Sequence, residues 1–333
     1  MAPLNVFDLI QMHNSGKIRQ PDVEHILAFA LHKPREYVIA HPEHRITART
    51  AQKIARLVNL RLRGYPLAYI TGIKEFYGMD FRVNESVLIP RPETELIVER
   101  ILDRINSMKR PDQAPMGTIL LADLGTGSGC IIIALARNLP LSGPKTKIAY
   151  YAVDNSIDAL KIARENAGRH RLNAQIQFKL GDLLGPVKNH LVNDKRINNI
   201  FIAANLPYVG TNEYNRLPTI KYEPRNALAS GIDGLAHYRR LAGQLAAMGN
   251  ALKKQKRSVN ASIFCELDPA QINKAQKLFK KVSTDVKFIV HQDYSGRDRI
   301  LECVFGFSHC LMRSNPHYKR REQLADQKDD ISK

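Results

Sequence analysis

The stretch ILLADLGTGSGCIIIALAR (119–137) constrains the fold more than any other part of the chain. A short run of consecutive apolar residues is how a strand buried on both faces reads, and such strands belong to parallel sheets covered by helices. Glycines at 125, 127 and 129 follow at once. Lacking a Cβ, they let the backbone turn sharply and let a ligand approach the main chain. The apolar residues after them read as a buried helix. A P-loop would need a Lys followed by Ser or Thr at the helix start, and a dinucleotide fingerprint would put its third Gly where Cys130 stands.

From Glu93 onward the pattern repeats. Helix-like segments near 93–107, 128–138, 156–168, 234–252 and 269–281 alternate with strand-like runs at 119–124, 148–153, 174–180, 198–204, 261–267, 286–291 and 300–306. This predicts an α/β fold: a doubly wound, mostly parallel, seven-stranded Rossmann-like sheet that binds ligands at the carboxyl ends of its strands. Before it, residues 4–64 carry apolar residues at helical spacing, with Pro21 and Thr47 where helices start and Gly16 and Gly64 where they stop. The aromatic and β-branched segment 75–89 reads as a hairpin. The expected organisation is a helical domain over 1–74, a hairpin linker over 75–90 and a sheet domain over 91–310. The stretch 311–333, with mixed charge and no apolar period, reads as a disordered tail.

The 50 Lys and Arg outnumber 32 Asp and Glu, giving a net charge of +18 that suggests an acidic or polyanionic partner. The basic runs, such as Lys253-Lys254 and Lys319-Arg320-Arg321, fall on loops, helix ends and the tail. There is no Trp to interleave with them, so they read as solvated surface. No apolar run approaches the ~18 residues of a spanning helix, and the start lacks a basic region followed by an apolar one, so a cytoplasmic chain is expected. The four cysteines form no C-x-x-C pair, and Pro42 breaks up His41-Pro42-Glu43-His44, so no metal site is expected.

The D-x-G-x-G-x-G pattern starting at Asp123 reads as the loop of S-adenosylmethionine (SAM) methyltransferases, which makes Gly125, Thr126, Gly127, Ser128 and Gly129 candidates to pack on that cofactor; its alternative is a mere tight turn. The next strand ends at Asp154, where a carboxylate accepts from both ribose hydroxyls. Its alternative is a helix N-cap. The third strand ends at Asp182-Leu183, candidates to flank the adenine. The fourth runs into Asn205-Leu206-Pro207-Tyr208, whose alternative is a plain turn. An amide nitrogen is a poor nucleophile because its lone pair is delocalised, so an enzyme methylating it must hold both hydrogens. The Asn205 side-chain oxygen and a backbone carbonyl after it can accept them, with Tyr208 stacked on the planar group.

Together these residues resemble the HemK/PrmC-type release-factor glutamine methyltransferases, over about residues 4–306. The pieces that carry the likeness are YPLAYITGIKEFYGMDFRVNESVLIPRPETE (65–95), ADLGTGSGCIIIALA (122–136), AVDNSIDALKIARENA (152–167), ANLPYV (204–209), EPRNALASGIDGLAHYRRL (223–241) and QDYSGRDRILECVF (292–305). The resemblance implies SAM as cofactor and the glutamine of the Gly-Gly-Gln motif of peptide chain release factors as substrate. It carries cofactor contacts to Gly125 through Gly129, Asp154, Leu183 and Asn205. The substrate clamp carries over to Asn205, Leu206, Pro207 and Tyr208, with Arg91, Pro92 and Glu93 nearby. The helical domain would help dock the release factor, and a monomer with no membrane and no obligatory nucleic acid is expected.

Two departures from the family pattern stand out. Leu206 replaces the first Pro of N-P-P-Y, and Glu266-Leu267-Asp268 lacks the usual Gly. A backbone carbonyl is what position 206 must supply, so activity is expected to survive with a looser clamp. Glu93 and Glu95 in a helix's first turn also fit simple dipole placement. Competing readings are an adenine-N6 methyltransferase acting on nucleic acid, whose exocyclic NH2 poses the same problem, and a SAM- or RNA-binding factor without chemistry.

Overall fold

A computed structural model of the chain describes residues 4–13, 16, 18–108, 117–139, 146–216 and 220–307. The segment 311–333 lies outside the described residues. Five helices come first: α1 (Val6–His13), α2 (Gln20–Leu31), α3 (Arg35–Ala40), α4 (Ala48–Leu62) and α5 (Leu67–Thr71). They share a core of their own that includes Val6, Leu9, Val23, Ile26, Leu27, Val38, Ile54 and Val58. Thr47 caps α4 by accepting from the Thr50 amide at 3.2 Å, and Pro21 sits in the first turn of α2, where its missing N–H costs nothing. His41–His44 is a loop, and the described residues hold no metal-binding cluster.

The hairpin follows as β1 (Ile73–Phe76) and β2 (Met79–Arg82), turning at Tyr77-Gly78, both with positive φ. It pairs two residues earlier than the aromatic pattern suggests, and the rest of 75–89 is irregular, with a turn in which the Val87 amide donates to the Asn84 carbonyl at 3.1 Å. Asn166 ties the hairpin to that domain. Its carboxamide accepts from the Arg82 amide at 2.7 Å and donates to the carbonyls of Arg82 and Ser128 at 3.0 and 2.8 Å. Tyr69 of α5 adds a second tie, donating to the Val87 carbonyl at 2.6 Å.

The sheet domain runs α6 (Glu95–Met108), β3 (Gly117–Leu124), α7 (Cys130–Asn138), β4 (Thr146–Asp154), α8 (Ile157–Arg169), β5 (Ile176–Leu180), α9 (Lys188–Asn193), β6 (Ile197–Ala204), α10 (Thr211–Tyr214), α11 (Ala236–Lys254), β7 (Val259–Glu266), α12 (Ile272–Lys280), β8 (Lys287–Gln292) and β9 (Asp298–Phe307). Strand order is β5-β4-β3-β6-β7-β9-β8, parallel except for β9, which runs antiparallel to both β7 and β8. Leu120, Ile202 and Ile263 face a core closed by α9, α11 and α12, while Leu121, Phe201 and Phe264 face one closed by α6 and α7. Both faces are covered, as the unbroken apolar runs require. The chain leaves β3 toward β4 and later crosses back to β6, so the sheet has its switch point between β3 and β6.

Candidate active site

An open cleft of ≈ 890 Å³ lies at that switch point, lined by the glycine turn, Asp154, Asp182, Leu183, Asn205, Leu206, Pro207, Arg91, Thr94, Asn226 and His237, among others. Its first wall is built from backbone. Gly125 and Thr126 donate their amides to the Val153 carbonyl at 2.8 and 3.0 Å, and Gly129 donates to Thr126 at 2.8 Å. Gly129 has φ +81, and a Cβ there would meet Ile133 Cδ1 at 3.0 Å and Ala163 Cβ at 3.2 Å, so the turn accepts no side chain. Because 125–129 are used in the turn, α7 starts at Cys130, two residues later than the periodicity suggests.

Asp154 closes the turn from the neighbouring strand. Its Oδ2 accepts from the Gly127 amide and its Oδ1 from the Ser156 amide, both at 2.9 Å. The N-cap of α8 is Ser156, which accepts from the Ala159 amide at 3.2 Å, so the capping alternative for Asp154 does not hold. Burial raises the Asp154 pKa, and these backbone N–H groups oppose the shift. Asp123 lies beneath the turn and takes the Thr126 hydroxyl at 2.6 Å. Burial pushes its pKa up to about 7, and its Oδ1 has no hydrogen-bond partner among the described residues. At the far end Asp182 is half-exposed beside Arg240 Nη2 at 3.2 Å and Gln244 Nε2 at 3.2 Å, while buried Leu183 holds φ +51, a costly value for a side-chain-bearing residue.

These residues fit SAM. A close backbone cradle with glycine at every other position, a buried carboxylate with lone pairs to spare, and a polar group beside an apolar one match its methionine, ribose and adenine parts.

The second wall is built from side chains. Asn205 follows β6 and donates from Nδ2 to Thr94 Oγ1 at 2.9 Å, and Thr94 donates to Glu266 Oε2 at 2.7 Å. Tyr208 donates its hydroxyl to Glu266 Oε1 at 3.2 Å. Burial raises the pKa of Glu266, opposed by the Thr94 hydrogen bond, and burial likewise raises that of the Tyr208 phenol. The single hydroxyl proton of buried Tyr238 of α11 is shared between the Ala204 and Glu266 carbonyls, at 2.9 and 2.6 Å, and so pins the ends of β6 and β7 side by side. Gln271 donates to the Tyr208 carbonyl at 2.8 Å. Arg91 pairs with buried Glu223 at 2.6 Å, which also accepts from the Ile89 amide at 3.2 Å, joining the mouth's two edges. His237 is held by Ser230 Oγ at 2.7 Å, and burial lowers its pKa, favouring the neutral ring.

The structure brings together the glycine turn, Asp154, Asp182, Leu183, Asn205, Leu206, Pro207 and Arg91. It does not bring Glu93 or Tyr208 into the cleft lining. Glu93 is exposed on the 3-10 turn Pro92–Thr94, which points Thr94 inward instead. The Tyr208 hydroxyl is held by Glu266 and its backbone carbonyl by Gln271. Leu206 is 2% exposed and packs toward Gly125 of the glycine turn. The missing Gly after Glu266 has a structural account. Asp268 caps the 3-10 turn Pro269–Gln271 in a capping box, and that turn aims Gln271 at Tyr208. Thr94, Glu266, Tyr238 and Gln271 had no signal in periodicity, although Thr94, Glu266 and Tyr238 stand inside segments already singled out.

A doubly wound parallel sheet carrying this turn, this carboxylate and this asparagine at its carboxyl edge is the SAM-dependent methyltransferase fold, and a methyltransferase domain model matches residues 118–294. The hMettl16 catalytic domain, solved in complex with MAT2A 3′UTR hairpin 1, superposes with TM-score 0.50 at 13% identity over 87% of this chain and 93% of that one, a likeness of fold alone. A PrmC N-terminal domain model matches residues 16–72. The release factor glutamine methyltransferase of Moorella thermoacetica is 33% identical over 288 residues, 86% of this chain and 92% of its own. That of Dictyoglomus turgidum is 31% identical over 303 residues, 89% and 97%. The chain belongs to the release factor glutamine methyltransferase family and is a SAM-dependent enzyme.

Proposed function

We propose that this enzyme methylates the side-chain amide nitrogen of the glutamine in the Gly-Gly-Gln motif of peptide chain release factors. The observation that carries the reading is the direction of Asn205: its Nδ2 is engaged by Thr94, which leaves Oδ1 to accept from an amide NH2 entering the cleft. SAM, when bound, supplies a methyl group activated on a sulfonium.

Gly125 through Gly129, with Thr126 and Ser128 between the glycines, bind the cofactor together with Asp154, Asp182 and Leu183. Asn205 Oδ1 and the Leu206 carbonyl take the two amide hydrogens and orient the nitrogen toward the methyl group. Pro207 fixes the chain that presents this carbonyl, since the residue before proline is restricted to extended conformations. The nitrogen gains a methyl group and loses one hydrogen as a proton. An N-protonated amide is strongly acidic, so water suffices to take that proton and no strong base is needed. Arg91, paired to Glu223, shapes the mouth that admits the peptide.

The helical unit over α1–α5 docks the release factor outside the cleft. A substrate of translation termination implies a cytoplasmic enzyme, and no described helix is long and apolar enough to cross a membrane.

The test supplies radiolabelled SAM with purified release factor and with a variant whose Gly-Gly-Gln glutamine is replaced by alanine. Label should enter only the unaltered protein. Equal labelling of both, or labelling of nucleic acid alone, overturns the reading.

A further inference from the structure

Thr94 stands at the centre of a buried chain of hydrogen bonds. It is 2% exposed, and Glu266 is 1% exposed. In its ionised form Glu266 only accepts, and the Thr94 hydroxyl at 2.7 Å and the Tyr208 hydroxyl at 3.2 Å then each spend their single proton on it. On the side facing Asn205, Thr94 Oγ1 is then left with lone pairs alone. A carboxamide 2.9 Å away must present its NH2 to that oxygen and turn Oδ1 the other way.

We propose that Thr94 and Glu266 are positioning residues for methyl transfer: together they decide which end of the Asn205 carboxamide faces the acceptor, and so make the site a receptor for an NH2 group. The proposal rests on the glutamine reading above and deepens it. The oxygen and nitrogen of a carboxamide are nearly the same size, so shape alone does not choose between the two orientations. The Thr94 hydroxyl does. With Oδ1 inward, an incoming amide N–H finds an acceptor, whereas a carboxylate would bring oxygen against oxygen, a mismatch that a site built for N–H rejects strongly. Without the hydroxyl, a share of molecules would present NH2 to NH2 and could not hold the acceptor nitrogen in line. SAM binding would change less than turnover, because among the described residues the glycine turn and Asp154 make no hydrogen bond to this chain of groups.

Thr94→Val keeps the side-chain shape and removes the hydroxyl, while Thr94→Ser keeps the hydroxyl. The valine variant should lose about tenfold to a hundredfold in kcat on the release factor with a smaller change in KM for SAM, and the serine variant should recover most of that loss. Wild-type kcat in the valine variant overturns the proposal, as does a serine variant no better than valine. A second readout needs no methyl acceptor: hydrogen exchange of the Asn205 side-chain NH2, followed by NMR, should speed up in Thr94→Val. Unchanged exchange overturns the proposal. If wild-type enzyme leaves the release factor unlabelled, the glutamine reading fails on its own, and the exchange rate still decides the role of Thr94.

Discussion

The two walls of the cleft are made differently. The cofactor wall is local and built from backbone: one turn of consecutive residues, its amides held by the adjacent strand and by Asp154. The acceptor wall is assembled from side chains far apart in sequence. Thr94 and Glu266 are separated by 172 residues and Thr94 and Asn205 by 111. A backbone cradle tolerates change in most side chains near it, because what binds is the main chain. A side-chain network fails when any one member is removed, since each buried partner left behind is unsatisfied.

This contrast makes substitutions in the two walls separable, and the largest effect is expected at Asn205. Asn205→Ala should lower kcat by about 10²–10³ while the affinity for SAM, measured by calorimetry, falls far less and is partly retained; a parallel loss of both would merge the two walls into one unit. Next comes Gly234, which has φ +75 and lies so close to the Tyr208 carbonyl that a Cβ would collide with it. Gly234→Ala should cost roughly 1–3 kcal/mol of stability, read as a lower midpoint in denaturant, together with most of the turnover. An unchanged midpoint would mean that the Tyr208 segment shifts freely.

On the cofactor side, Asp154→Asn turns one acceptor into a donor facing either the Gly127 or the Ser156 amide. SAM binding should weaken by about tenfold to a hundredfold, on the order of 1.5–3 kcal/mol, with kcat at saturating SAM within a few-fold of wild type. A fall in saturated kcat as large as that of Asn205→Ala would erase the distinction. The smallest effect is expected from Tyr238→Phe, which keeps the packing and removes the donor shared by the Ala204 and Glu266 carbonyls. It should cost about 1–2 kcal/mol in urea unfolding and change KM for the release factor more than KM for SAM; a change in SAM affinity alone would assign Tyr238 to the other wall.

The same contrast governs what could be read from sequence. The strands were legible because a parallel strand buried on both faces has an unmistakable apolar run, and the glycine turn because its whole function lies in consecutive residues. Asp154 was legible from its place at the end of the next strand. The short α9 was not, because six residues are too few to establish a 3.6-residue period. Thr94 was hidden between charged residues, where it reads as a helix-start residue; only the folded chain shows its hydroxyl turned inward to Glu266. Tyr208 was legible as part of the tetrapeptide after β6, while its bond to Glu266 was not. Apart from α9, each miss concerns a side chain whose partner comes from another strand or helix, which no local pattern encodes.

One carboxamide described earlier limits how this enzyme can be taken apart. Asn166 is fully buried and holds the hairpin and the cofactor turn with the same group. Cutting the chain after the hairpin to obtain a minimal catalytic fragment would strip two of its three bonds and uncover Phe76 and Phe81, which are part of the sheet domain's own core. The helical unit with its hairpin is therefore not a detachable adaptor. A chimaera that exchanges it for another recognition domain has to keep residues 73–82 with the sheet.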